Sequence, residues 1–208
     1  MTTPLYPATV RGRTIFYIDG FNLYYGLVSQ TPYRWLDLQR LCELLRPMEN
    51  IQRVVYFTAR IFGSARAKQD AYLLALLTRP LIRIVEGNFK RKTIECLHED
   101  CPSYQRRFFK SREEKRTDVN IAIAMLDDAY RNECDRLILI SGDSDLVPAI
   151  EMIGKRFPAL KINVYIPVSG SRTQGKRTRC TKRSCAPSQL LSPNFPPNCS
   201  LSHNFLTL

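Results

Sequence analysis

Five short runs of almost uninterrupted β-branched, aliphatic and aromatic residues constrain this chain most: Thr14–Ile18, Arg53–Thr58, Leu81–Val85, Leu137–Ile140 and Lys161–Ile166. Strands that are half exposed alternate apolar with polar residues, whereas strands covered on both faces are apolar throughout. Between these runs lie helical patterns. Leu36 to Leu45 carries Leu38, Leu41, Leu44 and Leu45 and stops before Pro47, and Ser64 is placed to cap a helix that runs to about Arg79, before Pro80. Lys115 to Tyr130 and Asp145 to Arg156 supply two more. Strands that alternate with helices form a parallel sheet, because parallel neighbours need crossover connections and the helices then bury both faces. The sequence therefore predicts an α/β, three-layer domain over residues 10–167, with helices on both faces of a central mostly parallel sheet of about five strands.

Two segments fall outside that pattern. Residues 90–112 form a basic insertion, with Lys90, Arg91, Lys92, Arg106, Arg107, Lys110 and Arg112 interleaved with Tyr104, Phe108 and Phe109. Those rings either stack on unpaired bases or cover the sheet edge as a minor core. Residues 168–208 carry six basic and no acidic residues among Ser, Pro and Cys, and read as a disordered tail.

Charge narrows the partners. The net charge is +12, from 31 Lys and Arg against 19 Asp and Glu, and half of the surplus survives without the tail. A polyanion fits that balance, with nucleic acid the first expectation and a membrane surface the second. No apolar run is long enough to span a bilayer and no apolar signal core opens the chain, so a cytoplasmic location is expected. Seven cysteines, an odd and scattered set, read as reduced thiols. Cys96, His98 and Cys101 pose the choice between a zinc site and free thiols in a surface loop; four ligands are needed and no second pair follows. With only two histidines in the chain, acid and base chemistry falls to carboxylates.

The carboxylates are placed suggestively. Open parallel sheets carry their functional crevice beyond the carboxyl ends of the strands. Asp19 ends the first run, Asp143 and Asp145 follow the fourth, and Asp118 opens the helix before it. Taken singly, each is a turn former or helix cap. Taken together, four carboxylates on one sheet edge repel one another, and a hard divalent cation relieves the repulsion. Oxygen-only ligands suit Mg²⁺ or Mn²⁺, which hydrolyse phosphodiesters through an activated water. Asn22 either orients such a water or caps a helix. Lys115 and Arg60 are candidate phosphate holders or solvated surface charges.

Three blocks carry a family resemblance. FYIDGFNLYYG (16–26), EEKRTDVNIAIAMLDDAY (113–130) and LILISGDSDLVPAI (137–150) resemble the signature blocks of the NYN family, LabA-like branch, within the PIN-like nuclease superfamily. The resemblance implies a Rossmann-like PIN fold and a metal-dependent ribonuclease site using Mg²⁺ or Mn²⁺. By position it implies that Asp19, Asp118, Asp143 and Asp145 are the acidic metal ligands, accompanied by Asn22, Lys115 and Ser141. RNA, more readily single-stranded, is the implied partner, and a homodimer is conceivable. The rival reading is a catalytically inactive RNA-binding or regulatory module that keeps the fold. The acid-free tail departs from the family's ordered C-terminal helix.

Overall fold

The structure is a computed structural model, and it describes residues 12–29, 31–95 and 108–167. Thus the tail, Cys96, His98, Cys101 and Tyr104 lie outside the described residues, and of Glu95 and residues 108–113 only the backbone is described. The order is β1 (Arg13–Asp19), α1 (Gly20–Leu23), a π-helical turn (Tyr24–Val28), α2 (Leu38–Leu45), β2 (Asn50–Ala59), α3 (Arg66–Leu77) and β3 (Ile82–Glu95). There follow β4 (Phe108–Lys115), α4 (Thr117–Tyr130), β5 (Arg136–Ile140), a 3₁₀ turn (Ser144–Leu146), α5 (Val147–Arg156) and β6 (Lys161–Tyr165).

These strands make one six-stranded sheet in the order β4-β3-β2-β1-β5-β6, parallel except for the β3–β4 pair. The expected three-layer fold is therefore present. β1 is central and apolar on both faces for a visible reason. Phe16 and Ile18 enter a core with Leu38, Leu41, Leu73 and Leu76 of α2 and α3, while Ile15 and Tyr17 enter a second core with Ile121, Met125 and Ile153 of α4 and α5. The second core includes a buried polar link: Tyr17 donates to Asp128 Oδ2 at 2.5 Å, and Asp128 is also paired with Arg53. Burial and this bond push the Tyr17 hydroxyl far above its ordinary pKa, which keeps it neutral.

Several boundaries differ from the sequence reading. β3 does not end near Val85 but runs to Glu95 and pairs antiparallel with β4, from Asn88 opposite Lys115 to Glu95 opposite Phe108. The described parts of the basic insertion, residues 90–95 and 108–112, are thus sheet, and the strands among the described residues number six rather than about five. Charged alternation hid it, because this hairpin is held by backbone pairing at the edge rather than by a two-sided core. Ser64 is not the cap of α3. That helix starts at Arg66 after Ala65, with no side-chain cap, and follows a turn in which Arg66 N–H donates to the carbonyl of Gly63, whose φ is +87°. Lys115 belongs to β4, and Arg116, with φ +82°, breaks the chain direction so that α4 begins at Thr117.

One glycine is demanded by packing. A Cβ on Gly20 would stand 2.7 Å from the Phe57 carbonyl oxygen and 2.8 Å from the Tyr56 ring, so only glycine lets α1 turn off β1 against the end of β2. Gly20→Ala is accordingly expected to destabilise the fold by about 1–3 kcal/mol through overpacking. Gly154→Ala in α5, where a Cβ meets nothing within 4 Å, is expected to stabilise it by about 0.5–1 kcal/mol. Urea denaturation followed by circular dichroism checks both signs, and equal responses would refute the close approach at Gly20.

Candidate active site

The sheet order places a switch point between β1 and β5. From β1 the chain builds outward through β2 and β3, then crosses back by α4 to lay β5 and β6 on the other side. Connections leave such neighbouring strands in opposite directions and open a crevice at their carboxyl ends. Since Ile18 pairs with Ile140, Asp19 and Ser141 leave the sheet side by side.

Asp19 is the fixed point of the site. It is 2% exposed, and a buried carboxylate needs donors. Its Oδ1 accepts the Asn22 backbone N–H at 3.0 Å, and its Oδ2 accepts the Asn22 side-chain amide at 2.7 Å and the Ser141 hydroxyl at 2.9 Å. The first bond makes Asp19 the N-cap of α1. Asn22 then closes a ring across the switch point, because its Oδ1 accepts from Gly142 N–H at 3.2 Å. Asn22 is therefore both cap partner and clamp. Ser141 Oγ also accepts from Asp143 N–H at 3.1 Å, and Asp143 Oδ1 accepts from Asp145 N–H at 2.9 Å. A continuous hydrogen-bonded chain thus runs from Asp19 through Ser141 and Asp143 to Asp145, using the sharp turn into the 3₁₀ segment.

Asp118 approaches from α4. It lies in the first helical turn, whose start faces the strands' carboxyl edge as a crossover helix requires. Its carboxyl is pushed up from 3.8 to about 6, first by burial and then by the charges of Asp143, Asp19, Glu114 and Asp145. Asp118 therefore lies near enough to the other three aspartates expected from the sequence to feel their charge. Glu114 is an addition that the sequence reading missed. It precedes Lys115 at the end of β4 and accepts from the Thr117 hydroxyl, against Gly87, where a Cβ would stand 2.8 Å from its Oε1. The E-E-K-R-T-D run shows it only as an unremarkable charge, because the antiparallel β4 that carries it inward was not legible.

The remaining candidates separate. Lys115 is exposed beside the site at the end of β4. Arg60, just beyond β2, forms a bidentate pair with Glu86 at 2.8 and 2.9 Å and a further pair with Asp70, so its guanidinium is engaged by carboxylates.

The donor set is carboxylate oxygen throughout, the chemistry of a hard divalent ion, and the raised Asp118 carboxyl registers negative charge that a cation would relieve. Among the described residues, however, no three Asp, Glu, His or Cys side chains stand close enough to grip one ion together. The set fits an ion such as Mg²⁺, which binds through one or two carboxylates and retains several waters, better than a closed cage. No helix among the described residues is long and apolar enough to cross a membrane.

Comparison with known proteins places these features. The sequence model of the NYN domain matches residues 13–181. The chain is 31% identical to 6-hydroxy-3-succinoylpyridine 3-monooxygenase HspA of Pseudomonas putida, across 76% of this chain. It spans 60% of that relative's length. A crystal structure of a protein of unknown function from Vibrio parahaemolyticus shares the fold, with a TM-score of 0.50 at 17% identity over 79% of this chain and 88% of that one.

The Asp118 shift sets a sign for pH dependence. A carboxyl that titrates near 6 folded but near 3.8 unfolded takes up a proton on folding between those values, so stability falls as pH rises through that window. In chelator, Asp118→Asn is expected to flatten this slope and to raise stability at pH 7 by about 1 kcal/mol, allowing for partial solvent screening. Denaturant midpoints measured from pH 4 to 7.5 test it; an unchanged slope would refute the repulsive cluster.

Proposed function

The chain belongs to the NYN domain family of PIN-like nucleases, and from that premise we propose that it is a divalent-metal-dependent ribonuclease hydrolysing RNA phosphodiesters at the β1/β5 crevice. The observation that carries this reading is the gathering of Asp19, Asp118, Asp143 and Asp145 around one switch point, with Asp19 held rigidly by Asn22 and Ser141.

In this reading one or two of the four aspartates would bind Mg²⁺ or Mn²⁺ directly, and the others, with Glu114 at their rim, would lend negative charge around a largely hydrated ion. When bound, the ion neutralises charge on the phosphoryl oxygens and acidifies the attacking water. The chain's own residues do the rest. Asn22 and Ser141 keep the Asp19 carboxylate oriented with three donors, so the ligand needs no reorganisation. Asp118 adds its carboxylate to the ion-holding set from the first turn of α4. Lys115 attracts the phosphate backbone beside the carboxylates, as does the basic β3–β4 hairpin with Lys90, Arg91 and Lys92. Arg60 acts differently: paired with Glu86 and Asp70, it braces the end of β2 against α3 and reaches a phosphate only by exchanging those partners.

A second reading has one observation in its favour. The identity to the pyridine monooxygenase allows that the same crevice takes a small heteroaromatic acid. The surplus of 12 positive charges suits a polymer better.

Labelled single-stranded RNA incubated with the protein and Mn²⁺, Mg²⁺ or chelator tests the proposal. Cleavage by wild type, abolished by chelator and lowered at least about 100-fold in both Asp19→Asn and Asp143→Asn, is the expected result. Salt-sensitive RNA binding without cleavage would support a catalytically inactive RNA-binding module, and consumption of 6-hydroxy-3-succinoylpyridine instead would support the second reading. Mn²⁺ should also raise the melting temperature of wild type more than that of Asp143→Asn, an expectation that does not depend on turnover.

A further inference from the structure

Beside the carboxylates, five aromatic rings form a continuous row. Tyr24 meets Tyr25 edge-on with centroids 5.2 Å apart, Tyr25 stacks on Phe21 at 6.2 Å and 12°, Phe21 meets Phe89 edge-on at 5.8 Å, and Phe89 meets Phe62 edge-on at 6.0 Å. Three chain segments supply them: α1 and its π-helical turn, which leave directly from Asp19, the loop after β2, and the hairpin strand β3. A minor core would bury such rings. Here Tyr25 is 62% exposed and Phe62 is 47% exposed, with Tyr24 exposed as well. Phe21 and Phe89 are half-buried beneath these three, so rings held in register by three segments make a platform with an open face.

The surroundings specify that occupant. Phe89 is followed along β3 by exposed Lys90, Arg91 and Lys92, and across the hairpin Asn88 pairs with Lys115, next to Arg116. At the other flank Asn22 and Asp19 open the carboxylate crevice, within the same helical turn as Phe21. A ligand that covers this stretch therefore presents flat π-faces to the rings, anionic groups to the lysines and arginines, and a reacting phosphate to the carboxylates. An apolar protein surface lacks the anions, and a duplex keeps its bases stacked on each other.

We propose that Phe21, Tyr24, Tyr25, Phe62 and Phe89 form a stacking platform for unpaired nucleobases, which seats single-stranded RNA with its backbone on the basic hairpin and feeds it toward Asp19. This deepens the ribonuclease reading and rests on it for the direction of the strand, though stacking itself is separable from cleavage. Selectivity for single strands arises from the platform, because rings accept any base with a free face. The sequence left Tyr104, Phe108 and Phe109 between base stacking and a minor core over the sheet edge; Tyr104 and the side chains of Phe108 and Phe109 lie outside what the structure describes, and the platform proposed here is built from other rings.

The test is equilibrium binding to the full chain in chelator, by fluorescence anisotropy. The probes are a labelled single-stranded oligouridylate, an abasic oligomer of equal length and charge, and an RNA duplex. Tyr25→Ala and Phe62→Ala are each expected to weaken oligouridylate binding about 5- to 100-fold while leaving the weaker binding of the abasic oligomer unchanged. Tyr25→Trp restores affinity, and circular dichroism melting verifies that the exposed sites tolerate truncation. Equal binding of uridylate and abasic oligomers, unaltered affinity in both alanine variants, or a preference for duplex would overturn the platform. Base-dependent binding with no metal-dependent cleavage would uphold the platform and remove the ribonuclease reading; cleavage without base dependence would do the reverse, and no binding of any probe would remove both.

Discussion

A carboxylate buried at the end of the central strand organises this molecule. At 2% exposure the Asp19 carboxyl needs partners, and three donors converge on it, two from Asn22 and one from Ser141. Those bonds do more than satisfy one group. They fix the first turn of α1 on β1, tie β1 to the loop beyond β5, and through Ser141 and Asp143 set the turn that presents Asp145. The tight passage of Gly20 against Phe57 is part of the same arrangement, since a larger residue would lift α1 and with it Asn22. Stability and site geometry are consequently the same problem at this edge of the sheet.

The chain carries two opposed fields. Its overall excess is strongly positive, yet the crevice gathers Asp19, Asp118, Asp143, Asp145 and Glu114. In the proposed reading, an anionic polymer is attracted to the whole protein and repelled by the acidic crevice, unless a cation stands between. That opposition explains why the acidic cluster is restricted to one switch point while lysines and arginines line the adjoining hairpin. Burial first, and then the charges of Asp143, Asp19, Glu114 and Asp145, raise the Asp118 carboxyl.

The hairpin of β3 and β4 connects the two fields. It extends the sheet beyond the part that helices cover, carries exposed cations on β3, and returns the chain so that Glu114 and Lys115 arrive next to Thr117 and Asp118. Arg116, held in the left-handed region at φ +82°, makes the reversal from strand to helix within one residue. A non-glycine residue in this region is tolerated where surrounding contacts hold it, and such positions concentrate at functional sites. Phe89 projects from the same hairpin into the aromatic row, so one element contributes charge, ring and site residues.

The order of strands and helices, the two-sided burial of β1, and the placement of Asp19, Asp143 and Asp145 at strand ends followed from local pattern. They are legible because a run such as Thr14–Ile18 can be nothing but a covered strand, and a parallel strand's carboxyl end is where such sheets open. Asp118 was legible as a helix start for the same kind of reason, although its helix begins two residues later than the periodicity predicts. The tertiary structure alone decided the rest. β3 and β4 extend because edge strands pair through backbone groups that leave no hydrophobic signature, as the charged alternation of Lys90, Arg91 and Lys92 illustrates. Arg60 proved to be engaged by Glu86 and Asp70, and Glu114 proved to face the acids, because partners 26 residues apart, as Arg60 and Glu86 are, or on a strand that reverses direction, are set by register rather than by neighbours in sequence. Likewise Phe21, Phe62 and Phe89 are scattered aromatic residues in the sequence and become one row only when three segments meet at the same edge of the sheet.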